Sequence, residues 1–128
     1  MAVILVVDDG PDVVQLLRGI LNRALYRSDS AFDGVEAVLK VVERDYDAVL
    51  MDVKMPELDG IDALKIIRAV KPTLPVIMFS GGPTQAERGE SERLGATGFL
   101  AKPVQIEELV ESLKVALLNL SSLGLPIE

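Results

Sequence analysis

Five polar residues of chemically useful types follow short apolar segments of this chain. Asp8 and Asp9 come directly after Val3–Val7, and Asp52 comes directly after residues 48–51. Ser80 and Lys102 follow two later segments of the same kind. Neighbouring carboxylates repel one another, and a hard divalent cation such as Mg²⁺ relieves that repulsion through oxygen ligands. A carboxylate beside an ammonium and a hydroxyl can accept a phosphoryl group, with Asp52 as the nucleophile and Ser80 and Lys102 stabilising the phosphoryl oxygens.

These residues meet if the apolar segments are parallel strands of one sheet. Apolar runs alternate with helical patterns along the chain, which is typical of a parallel sheet covered by helices on both faces. We predict strands at Val3–Val7, Arg27–Ala31, 48–51, 76–79 and Gly98–Ala101. We predict helices at 12–25, from Asp33 onward, at 61–70, at 84–94 and from Ile106 to about Leu120. The predicted fold is therefore α/β, a doubly wound five-stranded parallel sheet, for which the flavodoxin-like order 2-1-3-4-5 is the natural choice.

Apolar residues at helical spacing predict which helix faces are buried. In the first helix the predicted buried stripe is Val13, Leu16, Leu17, Ile20, Leu21 and Ala24. In the second helix it is Val35, Val38, Leu39 and Val42, after a capping box formed by Asp33 and Glu36. The fourth helix is rich in charged residues and is interrupted by Gly89, so we expect it to be the least stable element. The last helix carries Val115 and Leu118 off its main apolar stripe, where they are either scattered surface residues or part of a partner surface.

The composition excludes several kinds of site. The chain has 128 residues, enough for one domain, and contains no cysteine and no histidine. Disulfides, thiolate zinc sites, serine–histidine triads and a phosphohistidine on this chain are therefore excluded, and any metal must bind to oxygen ligands. The net charge of −7 argues against direct binding of nucleic acid. No apolar stretch is long enough to span a bilayer, and the first residues lack a signal-peptide pattern, so we expect a cytoplasmic protein without membrane contact.

The chain resembles the receiver domains of two-component response regulators over about residues 2–120. The segments that carry the resemblance are ILVVDDGPDVVQLL, AFDGVEAV, VLMDVKMPELDGIDALKIIR, PVIMFSG and LGATGFLAKP. No single segment is decisive, but the set in this order is specific. Residues 121–128 would then be a C-terminal tail or the start of a linker.

The resemblance implies a role for each matching residue. It makes Asp52 the phosphoacceptor, and Mg²⁺ would be held by Asp8, Asp9, Asp52 and the backbone carbonyl of Lys54. The resemblance also makes Lys102 the lysine of the active site, followed by a bond to Pro103 that is often cis in such proteins. Ser80 and Phe99 would be the switch hydroxyl and the switch aromatic, although Phe99 lacks the hydroxyl of the common tyrosine. We expect the inward orientation of Phe99 to be partly populated without phosphate, because burying a phenyl ring leaves no hydroxyl unsatisfied.

The resemblance also implies partners. The phosphoryl group would come from a sensor histidine kinase or a phosphotransfer protein. An output protein would bind the face formed by helix 4, strand 5 and helix 5. Homodimerisation, the cognate kinase and the output target are left open by the sequence.

Each of these residues also has a simpler explanation when it is taken alone. Asp9 or Asp12 would suit a helix cap, and Ser80 and Lys102 would suit ordinary loop positions. Phe99 would suit the core.

Two other functions remain as alternatives: a receiver-like binding module that is never phosphorylated, and a Mg²⁺-dependent phosphatase with an aspartate nucleophile. Such phosphatases usually carry a second acid two residues after the nucleophile, where this chain has Lys54.

Overall fold

The computed structural model describes residues 1–82 and 85–122, with side chains described as far as residue 118. Five strands alternate with five helices in these residues. The strands are β1 (Val3–Val7), β2 (Arg27–Ala31), β3 (Ala48–Asp52), β4 (Val76–Ser80) and β5 (Gly98–Ala101). The helices are α1 (Pro11–Arg23), α2 (Gly34–Glu43), α3 (Gly60–Val70), α4 (Gln85–Arg93) and α5 (Ile106–Ser122). Helix α5 thus includes the first two residues of the predicted tail, and residues 123–128 lie outside the described part.

All five strands are parallel and lie in the order β2-β1-β3-β4-β5, as predicted. Residues of β3 and β4 are entirely buried, and β1 is buried after its first residue. These central strands are continuous apolar runs because both of their faces are covered. The carboxyl ends of β1, β3, β4 and β5 therefore meet at one edge of the sheet.

The core consists of two layers, one on each face of the sheet. Alternate residues of β1 belong to different layers: Leu5 and Val7 face α2 and α3, whereas Ile4 and Val6 face α1 and α5. Helix α4 lies on the same side as α2 and α3, next to β5. The prediction of helices on both faces is confirmed.

The predicted buried stripe of α2 was wrong. Val35, Leu39 and Val42 are exposed, and Val38 is only partly buried; the buried residues are Gly34, Ala37 and Val41. Helix α2 is apolar on most of its circumference, so its periodicity fits more than one face. Gly34 and Ala37 lie against the neighbouring elements together with Val41, and this face leaves Val35, Leu39 and Val42 exposed.

The first helix also differs from its prediction. It begins at Pro11 rather than at residue 12, its N-cap is Gly10, and no side chain caps it. The simple role of Asp9 or Asp12 as the cap is therefore absent. Leu17 and Leu21 are buried as predicted, whereas Leu16 is exposed, and the helix also buries Val14, which the predicted stripe did not include.

Strand β2 is the polar edge of the sheet that the sequence predicted. The amide of Arg27 donates to the carbonyl of Ala2, just before β1, and the carbonyl of Ala31 accepts from the amide of Asp8, just after β1. Alternate residues of β2 therefore form their backbone hydrogen bonds with the β1 side of the sheet. Ser28 and Ser30 therefore direct their backbone groups outward. The carbonyl of Ser28 accepts from Arg18, and the carbonyl of Ser30 accepts from Lys40. These two cations protect the edge against pairing with another strand.

Asp29 of β2 is the centre of a charged cluster beside this edge. Its carboxylate accepts from the hydroxyl of Tyr46 at 2.7 Å and from Arg44 at 2.7 Å, and it pairs with Lys40 at 3.3 Å. Partial burial raises the pKa of Asp29, but the bonds from Tyr46, the Ser30 amide and Lys40 outweigh burial and lower the pKa from 3.8 to about 2. Burial, followed by the hydrogen bond to Asp29, raises the pKa of Tyr46 to about 12.

This cluster predicts how stability depends on pH. Because the pKa of Asp29 is lower in the fold, its stabilising effect is present above pH 3.8 and is lost as the pH falls towards 2. We expect Asp29→Asn to lower the free energy of unfolding at pH 7 by about 1–2 kcal/mol, with the difference disappearing near pH 2–3. Urea unfolding across this pH range measures it. Asp45→Asn is the matched control, because Asp45 pairs with Lys71 but is fully exposed, and it should change nothing measurable.

Candidate phosphorylation site

The carboxyl ends of four strands place the predicted site residues at one edge of the sheet. Asp52 is the last residue of β3 and Ser80 the last residue of β4. Asp8 and Lys102 come directly after β1 and β5. The register pairs Asp52 with Phe79, so Ser80 lies one residue further along the neighbouring strand.

Three carboxylates converge at this edge. One oxygen from each of Asp8, Asp9 and Asp52 lies within 4.8 Å of the others. Asp8 is 1% exposed and Asp52 is 5% exposed, whereas Asp9 is open to solvent. The amide of Gly10 donates to Asp8 Oδ1 at 2.8 Å, which holds this carboxylate at the start of α1.

Lys102 brings its ammonium to the two buried carboxylates. Its Nζ lies 3.0 Å from Asp8 Oδ2 and 3.3 Å from Asp52 Oδ2. The same atom lies 5.2 Å from the centre of the Phe79 ring, on β4. The peptide bond from Lys102 to Pro103 is cis, as the resemblance implied.

Burial and mutual repulsion set the charge state of the site. Burial, followed by the charge of Asp8, raises the pKa of Asp52 from 3.8 to about 6, although Lys102 opposes the shift. Burial lowers the pKa of Lys102, but its bonds to Asp8 and Asp52 outweigh burial, so the pKa lies above its usual value. The site thus holds excess negative charge that one ammonium only partly balances.

Gly60, at the start of α3, packs directly against the backbone of Asp52. A Cβ at this position would lie 2.0 Å from the backbone oxygen of Asp52, a distance that no side chain can occupy. The amide of Gly60 donates to the carbonyl of Val53 at 2.7 Å, and Asp59 caps the helix through the amide of Asp62. The glycine lets the loop after β3 close tightly on the strand. The contact of Gly60 with Asp52 depends on the tertiary fold.

The other predicted residues have clear positions. Ser80 is buried, and its Oγ lies 3.4 Å from the amide of Gly82. The amide of Lys54 lies 3.4 Å from Asp52 Oδ1, so the loop after β3 curls back over the carboxylate. Phe99 lies on β5 opposite Met78 and packs, partly buried, against the core layer of α2 and α3.

The donor set fits a magnesium ion. Its side-chain ligands are carboxylate oxygens, which Mg²⁺ prefers, and an exposed Asp9 leaves one side open for retained waters. Asp8, Asp9, Asp52 and the carbonyl of Lys54 are the groups that would hold it. Two of these carboxylates are buried next to each other, so a divalent cation would relieve repulsion that Lys102 balances only in part.

No helix within the described residues is both long enough and apolar enough to cross a membrane.

Several known proteins are similar to this chain in sequence or in fold. The chain is 39% identical over 111 residues to chemotaxis protein CheY of Thermotoga maritima, covering 86% of this chain and 92% of that protein. It is 35% identical to transcriptional regulatory protein ZraR of Salmonella typhimurium, covering 94% of this chain but only 27% of ZraR. The chain also superimposes on the receiver domain of sensor histidine kinase PA1611 from Pseudomonas aeruginosa with a TM-score of 0.84 and 32% identity, covering 91% of this chain and 97% of that one. The structure of that domain has a magnesium ion in its active-site cleft.

The family profile described as the response regulator receiver domain matches residues 4–114. Receiver domains of this family are signalling modules that interact with histidine kinases and output domains. The chain belongs to the receiver domains of two-component response regulators.

Proposed function

We propose that the protein is a signalling receiver that accepts a phosphoryl group on Asp52 from the phosphohistidine of a sensor kinase or phosphotransfer protein. The observation that carries this proposal is the meeting of Asp8, Asp9, Asp52 and Lys102 at one sheet edge, within hydrogen-bonding or metal-binding reach of one another. The family membership supports the same assignment.

In the proposed reaction an oxygen of Asp52 attacks phosphorus as the bond between phosphorus and the histidine nitrogen breaks. The phosphoryl group moves to the carboxylate, and the imidazole leaves with the electron pair and takes up a proton. Lys102, whose ammonium already lies 3.3 Å from Asp52, would stabilise negative charge on the phosphoryl oxygens. The hydroxyl of Ser80 would donate to another of these oxygens. Mg²⁺, when bound, would supply the remaining charge neutralisation.

Phosphorylation would act as a switch through Ser80 and Phe99. The phosphoryl group carries roughly two negative charges, where the ionised carboxylate carried one, and it brings three acceptor oxygens. Ser80 would turn towards it and draw the following loop inward, and Phe99 would occupy the space behind. The face formed by α4, β5 and α5 would then change its affinity for an output protein; Val115 and Leu118 are exposed on α5 and would belong to that face. We also propose a cytoplasmic location, on the ground of the family to which the chain belongs.

The pKa of Asp52 predicts a pH dependence for its phosphorylation. The carboxylate must be ionised to attack phosphorus, and its pKa is raised to about 6. At limiting Mg²⁺ we expect the rate of labelling by acetyl phosphate to fall about tenfold per unit below pH 6. Saturating Mg²⁺ should move the midpoint to lower pH, because the cation binds the ionised form. Intact-mass measurements over time, at pH 4.5–8, give the profile.

One experiment separates the proposal from its two rivals. The protein is incubated with Mg²⁺ and acetyl phosphate, and its intact mass is recorded. A single phosphoryl adduct that requires Mg²⁺ supports the receiver. Absence of an adduct under all conditions would support a binding module that is never phosphorylated. Continuous release of phosphate from unrelated phosphoesters would support a phosphatase, which the ammonium side chain at Lys54, in place of a second acid, argues against.

A further inference from the structure

Helix α4 contacts the rest of the domain mainly through polar side chains. Of its nine residues, only Ser91 is buried. The hydroxyl of Ser91 donates to the carbonyl of Glu87 within the same helix, so this bond does not anchor α4 to another element. A helix with so little buried apolar surface opens at low free energy. The few side chains that reach other elements therefore determine where α4 lies.

Two consecutive charged residues of α4 reach two different elements of the domain. Glu87 Oε2 lies 3.7 Å from Lys54 Nζ, in the loop that follows Asp52. The guanidinium of Arg88 lies 4.9 Å from the centre of the Phe99 ring, on β5. Successive helical residues point about 100° apart, so the pair can hold α4 against both elements.

The contact between Glu87 and Lys54 differs from the ion pair between Glu90 and Arg93. Glu90 pairs with Arg93 three residues later, so that pair lies wholly within α4. The Glu87 side chain is 21% exposed and reaches a residue two positions from Asp52. Lys54 is 71% exposed, so its ammonium can turn towards a new partner at little cost.

We propose that Glu87 is a positioning residue that couples α4 to the phosphorylation of Asp52 through the side chain of Lys54. The inference rests on the proposed function. Without phosphate, the Lys54 ammonium pairs with Glu87 and holds the start of α4 near the loop after β3. A phosphoryl group on Asp52 competes with Glu87 for this ammonium, because it raises the negative charge at Asp52 from one to roughly two and extends it beyond the carboxylate. Phosphorylation thus weakens a charged contact that holds α4.

Thermodynamic linkage gives the sign of the effect. If phosphorylation weakens the pair, removal of Glu87 must favour phosphorylation by the same factor. Exposed ion pairs contribute modestly, so we expect a change of about two- to fivefold. The effect should require Lys54, because no other residue in the proposal carries the coupling.

The first test measures α4 in the unphosphorylated protein. Amide hydrogen exchange of residues 85–93 should be about two- to fivefold faster in Glu87→Gln than in the unmodified chain. Glu92→Gln is the matched control, since Glu92 is exposed on the same helix and the charge change is identical. Lys54→Gln should accelerate exchange as Glu87→Gln does, and the double variant should add nothing further.

The second test measures phosphorylation with Mg²⁺ and acetyl phosphate. The phosphorylated fraction at subsaturating acetyl phosphate, expressed as its ratio to the unmodified fraction, should rise about two- to fivefold in Glu87→Gln and stay unchanged in Glu92→Gln. In the Lys54→Gln background, Glu87→Gln should have no effect. An adduct that forms equally in Glu87→Gln and Glu92→Gln, or equal exchange of α4 in both, overturns this inference alone. Failure of the unmodified protein to form any adduct would instead overturn the proposed function.

Discussion

Asp52→Asn should abolish the Mg²⁺-dependent adduct formed with acetyl phosphate. A carboxamide has no ionised oxygen to attack phosphorus. Intact mass after incubation should show only unmodified protein. Asp12→Asn is the matched control, because Asp12 is exposed in the first turn of α1 and should leave labelling unchanged.

The same substitution should make the protein more stable in the absence of Mg²⁺. The pKa of Asp52 is raised from 3.8 to about 6, so the fold favours the protonated form and loses stability as the pH rises through this range. Asparagine carries no charge at any pH. We expect Asp52→Asn to raise the free energy of unfolding at pH 7.5 by about 1–3 kcal/mol in EDTA. A gain in stability with a loss of labelling would show that the aspartate is retained for chemistry and not for folding.

Lys102→Gln should produce the second largest effect. The ammonium contacts both buried carboxylates and lies where charge develops on the phosphoryl group. We expect the rate of labelling to fall by about 10²- to 10³-fold, the range seen when one positioned donor to a developing anion is removed. Lys65→Gln is the control, since Lys65 is an exposed lysine whose nearest acid is Asp62 at 3.9 Å. A Lys102→Gln protein that is labelled at the normal rate would contradict the assigned role.

The stability of Lys102→Gln separates a catalytic effect from a folding defect. Without the ammonium, the carboxylates of Asp8 and Asp52 remain buried and unpaired, so the free energy of unfolding in EDTA at pH 7.5 should fall by about 2 kcal/mol. Mg²⁺ should restore more stability to the variant than to the unmodified protein, because the cation replaces the missing positive charge. Labelling that stays low at saturating Mg²⁺, in protein that remains folded by circular dichroism, would assign the loss to chemistry.

The fold was predictable because its signals are local and repeated. Each central strand is a continuous apolar run that ends in a polar residue, and this pattern fixes both the strand and the direction of its functional end. The flavodoxin-like order, which was chosen among the doubly wound topologies and which the structure has, then brings Asp8, Asp52 and Lys102 to one edge.

Other features were not predictable because they depend on packing between distant segments. Helix α2 is apolar almost all round, and only contact with its neighbours selects Ala37 and Val41 over Val35 and Leu39. The close approach of Gly60 to Asp52, and the reach of Glu87 to Lys54, join residues whose spacing carries no periodic signal. Such contacts can be recognised only once the folded structure is known.

The location of the phosphoryl group tests the central claim most directly. Protein labelled with acetyl phosphate and Mg²⁺ is digested, and the modified peptide is identified by mass spectrometry, with lability to hydroxylamine as the mark of an acyl phosphate. We expect one phosphoryl group, on Asp52, that forms in Mg²⁺ and not in EDTA. A phosphoryl group on Ser80 or on any other residue, with Asp52 unmodified, would contradict it.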